Sequence, residues 1–204
     1  MSDKQVLRPG LWTPRPVEET IAVYADWADT YDEEVSARGY RTPDRLAKAL
    51  AGFADPETRI LDFGCGTGIG GAALRKAGFT HLDGTDITKE MLSKAEARKI
   101  YEKTWVSTPA EMGFADGAYP VIVAVGVISL GAAPPETLAP VFAKLPQQGL
   151  LALSFNDPTL EDARYEAALQ HACNVHGGEV VFREHGPHLD DVGMGSDVII
   201  VCRK

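Results

Sequence analysis

The sequence predicts an α/β fold, helices packed on a largely parallel sheet whose last two strands run antiparallel. Three observations carry this expectation. From residue 59 onward, short apolar β-branched runs alternate with helical segments, the pattern of strand–helix–strand units. The first strand runs directly into a glycine-rich turn that opens a helix, and the second strand ends in an acid, Asp86. Between the last two strands lies only a Gly/Pro/Asp-rich loop of roughly a dozen residues, too short and irregular for a crossover helix, so that pair is antiparallel.

The elements follow in order. Met1–Pro16 holds three prolines and few apolar residues and reads as an irregular arm. Ile21, Tyr24, Ala25, Ala28 and Tyr31 then recur at the three-and-four spacing of one helix face. Thr42-Pro43 looks like a cap followed by a first-turn proline, opening a helix to about Phe53. Arg59–Phe63 is a strand, Gly68–Ala77 a helix and His81–Asp86 a strand; a helix runs from an N-cap at Thr88 to about Lys99, and Trp105 marks the third strand. Val121–Val125 is a continuous apolar run, the mark of a strand buried on both faces. Pro135–Lys144 is helical with Pro140 as a point of interruption, Leu150–Phe155 is a second buried strand, and Leu160–Val175 is a helix ended by Gly177-Gly178. Glu179–Arg183 and Val198–Cys202 are the final strands.

Composition narrows the function classes. The 204 residues suit one domain, at about 100–200 residues each. Twenty Lys plus Arg against 29 Asp plus Glu give a net charge of −9, which argues against nucleic acid as a partner because phosphate binding needs clustered cations. The longest apolar run, Val121–Leu130, falls well short of the roughly 20 residues of a membrane helix, and no apolar stretch follows Lys4, Arg8 and Pro9 as a signal peptide requires. Cys65, Cys173 and Cys202 are sparse, odd in number and outside any ligand spacing, which fits a reduced, cytoplasmic compartment.

The stretch Ile60–Gly71 carries the chemistry. Glycines let the chain take positive φ and let a ligand come close, and the helix behind them offers free amides to an anion. Asp86, in Gly84-Thr85-Asp86-Ile87, is placed to accept both hydroxyls of a ribose; its other reading is a cap for the next helix. Gly66, Gly68 and Gly71 satisfy the bare dinucleotide pattern, but Asp62 would set a carboxylate beside a pyrophosphate, and the chain has no Tyr-x-x-x-Lys pair and no room for a second substrate domain. A ligand with a cationic end suits Asp62 better.

Asp62-Phe63-Gly64-Cys65-Gly66-Thr67-Gly68 resembles motif I of the class I S-adenosylmethionine-dependent methyltransferases, and Gly84–Leu92 resembles the segment carrying their ribose-binding acid. Tyr24–Asp32, Gly39-Tyr40-Arg41-Thr42-Pro43 and the glycine loop are similar to the methyltransferase-like proteins of the Williams–Beuren region type. The likeness spans roughly residues 18–204. It implies a Rossmann-like seven-stranded sheet with helices on both faces and the last strand antiparallel. It also implies a helical lid over 17–55 on a cofactor-binding core of 56–204, with residues 1–16 as an arm. The implied cofactor is S-adenosylmethionine, with S-adenosylhomocysteine as product and no metal.

Carried over residue by residue, the resemblance gives Asp62, Gly64 and Gly66 to the methionine end, Asp86 to the ribose, and Ile87 and Met91 to the adenine slot. Past the third strand, Thr108 stands where the family usually has an acid, so the Thr108 hydroxyl or the backbone near Ala110 is left to meet the adenine amino group. Gly126 lets the backbone approach the sulfonium. Tyr24, Trp27 and Tyr31 read either as an aromatic lid over that cation or as packing of an amphipathic helix, and Tyr31 is the candidate catalytic residue. Tyr40 draws weaker support from the same signature. His171, His176, His185 and His188 form no ligand motif and read as solvated or turn residues; Cys65 reads as a compact packer. The expected reaction is methyl transfer to a small-molecule acceptor at O, N or C, by in-line displacement. The alternatives are a non-catalytic adenosylmethionine-binding module or methylation of a partner protein.

Overall fold

The structure is a computed structural model and describes residues 7–8 and 10–204. Of the predicted arm, residues 1–6 and 9 lie outside the described residues. Seven strands are seen: β1 Arg59–Phe63, β2 His81–Asp86, β3 Lys103–Val106, β4 Val121–Ala124, β5 Leu150–Asn156, β6 Gly178–Leu189 and β7 Met194–Arg203, ordered β3-β2-β1-β4-β5-β7-β6. β1 to β5 are mutually parallel and β7 runs antiparallel to both of its neighbours, as the sequence predicts. The order reverses between β1 and β4, and the crevice beyond the C-terminal ends of those two strands is where such sheets bind ligands.

Strand alternation decides which helix lies on which face. Ile122, Ala124, Leu151 and Leu153 face a core that takes Phe142 from α6 (Leu138–Ala143) and Leu169 from α8 (Ala163–His176). Their neighbours Val121, Val123, Leu150 and Ala152 face the other way, onto Leu46 and Leu50 of α3 (Thr42–Leu50) and Leu74 of α4 (Ile69–Lys76). β4 and β5 are buried throughout, which explains their unbroken apolar sequence. α5 (Lys89–Ala97) follows β2.

Several boundaries differ from the sequence reading. The long helical face of the lid is two helices, α1 Val17–Trp27 and α2 Tyr31–Ala37, so Tyr31 opens a helix rather than continuing one. Thr42 does not cap α3; its hydroxyl contacts His188 Nδ1 and Ser196 Oγ, both at 2.8 Å. Thr88 occupies the N-cap position of α5 without using its side chain as the cap. The stretch 160–175 is α7 Asp157–Leu160 and then α8, broken where Asp162 accepts from the Arg164 amide at 3.1 Å. Pro140 sits in the first turn of α6, where its missing N–H breaks no bond.

The largest difference is the hairpin. The predicted loop is mostly ladder: β6 and β7 pair from Gly178↔Arg203 to Leu189↔Met194 and turn through Asp190–Val192. β6 is an edge strand, and beyond Arg183 it is mostly exposed and polar as far as Pro187, so its sequence there lacks a hydrophobic run, and an edge tolerates Pro187. Arg45 of α3 binds it by donating to the carbonyls of Glu184 (3.0 Å), Pro187 and Ser196 (both 3.1 Å). His188 in that hairpin is buried rather than solvated, and burial holds its pKa down at about 4, so it is neutral.

The described end of the arm is ordered against the body. Leu11 is buried, and Arg15 donates to the carbonyls of Gly10 (2.9 Å) and Leu11 (2.6 Å). The Leu11 carbonyl lies where a side chain on Gly131, whose φ is +82°, would stand. Gly131→Ala therefore combines positive-φ strain with overlap, and a loss of about 1–3 kcal/mol in urea unfolding is expected. Limited proteolysis should cut residues 10–15 faster in that variant; unchanged cleavage would show that the arm is not seated on Gly131.

Candidate active site

β1 delivers the chain to the switch point and the glycine loop turns it into α4. Asp62, near the end of β1, is wholly buried: Oδ2 accepts from the Tyr101 hydroxyl at 2.7 Å, while Oδ1 has no partner among the described residues. Burial, and secondarily the Asp86 charge, push its pKa up to about 6 against the opposing Tyr101 hydroxyl and Gly71 backbone amide. A carboxylate held in this way favours an arriving cation.

Gly66 takes φ +54°, and a Cβ on it would meet nothing within 4 Å, so the loop backbone is bare toward the crevice. Its amide donates to Asp86 Oδ2 at 2.8 Å, and the Thr88 amide donates to Asp86 Oδ1 at 2.7 Å. Burial raises the Asp86 pKa and these amides oppose the rise. At the end of β4, Gly126 (φ +71°) faces the Tyr40 hydroxyl, which lies 2.7 Å from where its Cβ would stand. Only glycine allows that approach.

These groups border one cavity of about 370 Å³. Of the residues singled out in the sequence, Tyr24 and Tyr31 line it from the lid, Asp62, Gly64 and Gly66 from the glycine loop, and Asp86, Ile87 and Met91 from β2 and α5. Thr108 and Gly126 line it from the remaining strand ends. Ala110 does not: it is exposed in the turn after Thr108, whose hydroxyl is occupied by the Glu111 amide at 3.0 Å. Buried Ser107, the first residue beyond β3, lines the cavity instead, and its place right after the strand was the available signal.

Trp27 is core rather than wall. It is buried, stands edge-on to Tyr31 with ring centroids 4.8 Å apart, and does not line the cavity. Tyr31 reaches the cavity while its neighbour Asp32 turns outward to a latch: Thr67 Oγ1 donates to Asp32 at 2.5 Å, Arg98 pairs with Asp32, and Arg98 Nε donates to the Thr67 carbonyl at 2.7 Å. The lid is thereby tied to the glycine loop and to the end of α5. Burial pushes the Tyr24 pKa up to about 12 and those of Tyr31 and Tyr40 upward as well, so all three enter the cavity as neutral hydroxyls. Cys65 is raised by burial too and stays a thiol, in keeping with a packing role.

Thr20, Tyr40, Glu136 and Thr137 also line the cavity. Sequence reading gave Tyr40 little weight and missed the other three, because each is an ordinary surface residue by local pattern. Among the described residues no group of His, Cys, Asp and Glu is arranged to hold a metal, and no helix is long and apolar enough to cross a membrane.

Residues 31–190 match a family model described as a methyltransferase domain. The chain is 31% identical over 158 residues to human methyltransferase-like protein 27, covering 74% of this chain and 63% of that protein, so it spans less than two thirds of this relative. Among solved structures, magnesium protoporphyrin IX methyltransferase from Synechocystis PCC 6803 with bound S-adenosylmethionine shares the fold (TM-score 0.69, 16% identity, 94% of this chain and 100% of that one). The [4+2]-cyclase SpnF shares it too (TM-score 0.68, 14% identity, 94% of this chain and 98% of that one). The family model covers both the lid latch and the two buried acids, and the chain belongs to the methyltransferase domain family, as a class I S-adenosylmethionine-dependent member.

Proposed function

We propose that this chain binds S-adenosylmethionine in the cavity at the switch point and transfers its methyl group to a small molecule. The observation that carries the reading is Asp62: a wholly buried carboxylate on the cavity wall with one oxygen unpartnered, beside a glycine loop bare of side chains. Such an atom is costly to bury unless a ligand satisfies it, and the ammonium of a methionine group does so. The residues present thus fit the cofactor.

Asp62 would hold the ammonium and Asp86 the ribose hydroxyls, while Ile87 and Met91 would flank the adenine. Ser107 and Thr108 stand nearest to meet its polar edge. When bound, S-adenosylmethionine supplies a methyl group activated by a positively charged sulfur. The chain's work is then to align, desolvate and shield. Tyr24, Tyr31 and Tyr40 present neutral phenol rings and hydroxyls to the cavity, a surface favourable to a cation. Tyr31 is the residue proposed to touch the reacting groups.

SpnF is a cyclase on this fold, so the fold alone does not dictate transfer; the two acids support cofactor binding, and the methyltransferase-domain match over residues 31–190 supports transfer. A small acceptor is supported by a cavity of only about 370 Å³ and by the short connections after β4 and β5, which among the described residues build no separate recognition unit.

Asp86→Ala should weaken S-adenosylhomocysteine binding by about 1.5–3 kcal/mol in calorimetry, the worth of a charge-assisted hydrogen bond. Unchanged affinity would remove the ribose assignment. The raised Asp62 pKa gives a pH test. Below about 6 the free protein carries Asp62 protonated, and the ammonium needs it ionised, so affinity should fall as pH drops through 6, by up to about tenfold per unit. Asp62→Asn should bind weakly at every pH and lose this dependence; a slope that persists in the variant assigns it to another group.

A further inference from the structure

The cavity has more wall than the cofactor residues account for. Beyond Asp62, the glycine loop and Asp86, its lining comes from α1, from Tyr40 and Pro43, and from the segment 132–140 after β4. Much of that wall is carbon: Val17, Pro43, Ala132, Ala133, Pro134 and Pro140. Its polar groups are few. Thr20 is 5% exposed, and its Oγ1 has no partner among the described residues. The Tyr40 hydroxyl stands at Gly126, at the end of β4, held there from behind: its ring packs edge-on to buried His188 at 5.1 Å, and Tyr40 bridges Leu189 across the hairpin. Glu136 is exposed at the rim with Thr137 beside it.

The charges are all of one sign. Among the described residues the lining includes Asp62, Asp86 and Glu136 and no Lys, Arg or His; Arg164 lies within electrostatic reach of Glu136 from outside the lining. A bound S-adenosylmethionine brings net one positive charge, so the loaded site remains negative. A carboxylate or phosphate acceptor would be desolvated there with no cation in the described lining to meet it. A cationic acceptor offsets the remaining charge and finds aromatic faces suited to it.

We propose that the methyl acceptor is an amine on a small apolar frame, its nitrogen held by the Glu136 carboxylate and the Tyr40 and Thr20 hydroxyls; this rests on the methyl-transfer reading above. The bound ammonium gives one proton to Glu136 and on to water, which frees the nitrogen lone pair. That pair forms the N–C bond to the methyl carbon as the C–S bond breaks, its electrons staying on sulfur. The product is a methylammonium ion beside a neutral thioether, and one proton is released per turnover. Tyr40 acts as a positioning group at the strand end, and the carbon wall selects the frame.

Ligand-observed NMR on the full chain loaded with S-adenosylhomocysteine tests this with three probes on one frame: benzylamine, benzyl alcohol and benzoate. Benzylamine should bind about tenfold more tightly than either of the others, and Glu136→Gln should remove about that factor while S-adenosylhomocysteine affinity stays unchanged. With S-adenosylmethionine, product formation from benzylamine should rise with pH as the amine loses its proton. Tighter binding of benzoate or benzyl alcohol, no amine binding at all, or an amine affinity untouched by Glu136→Gln overturns the proposal while cofactor binding persists. Failure of S-adenosylhomocysteine itself to bind overturns the methyl-transfer reading and this proposal with it.

Discussion

The Asp86 carboxylate sets the geometry on which the site depends. It sits at the end of β2 with no cation paired to it among the described residues, and what keeps it there is a pair of backbone amides: Gly66 on one oxygen and Thr88 on the other. The first bond pins the glycine loop at the point where its backbone bends toward the crevice. The second satisfies an amide at the start of α5, the service usually given by a capping side chain. One buried acid thus fixes the loop after β1 and the helix after β2 relative to each other. Asp62 is left free of that duty, with one oxygen bound by Tyr101 and the other uncommitted.

The lid is placed by contacts across large sequence distances. Tyr31 and Asp32 divide the work between adjacent residues, one facing the cavity and the other closing the latch with Thr67 and Arg98. At its far end the lid is tied to the hairpin: Arg38 pairs with Asp191 at 2.6 Å, Arg41 with Asp190 at 2.5 Å, and Thr42 contacts buried His188. Tyr40 lies between these anchors, so its hydroxyl reaches Gly126 only because the last strand pair of the sheet stands behind it.

Legibility in the sequence followed the range of the determining forces. The strands β4 and β5 were plain, since burial on both faces leaves only apolar residues, and the glycine loop with Asp62 and Asp86 was plain because its chemistry is local. The second half of β6 is not legible, because beyond Arg183 an exposed edge strand needs no hydrophobic run and Arg45, more than 130 residues away, supplies hydrogen bonds that hold it. His188 carries only the local pattern of a solvated or turn residue because its burial is decided by Thr42 and Tyr40, not by its neighbours. The same holds at the rim, where Glu136 and Thr20 carry no local signal and gain meaning only from the wall they share.

How firmly the lid closes follows from what covers its underside. Leu11, Trp27, Ala28, Val35 and Met91 form a cluster separate from the two large cores on the faces of the sheet, with Met91 as the contribution of α5. The ion pairs around it, such as Arg8–Asp26 at 2.9 Å and Lys94–Asp29 at 2.6 Å, have strongly exposed acids and add at most about 1 kcal/mol each. What holds α1 and α2 on the body is therefore this small cluster, the Asp32 latch and the Arg38 tie to the hairpin, whereas α3 contributes Leu46 and Leu50 to a core of the sheet itself. The cavity is walled by strand ends on one side and by these separately packed helices on the other, and the groups that bond Asp62 and Asp86, namely Tyr101, Gly66 and Thr88, all lie outside α1 and α2.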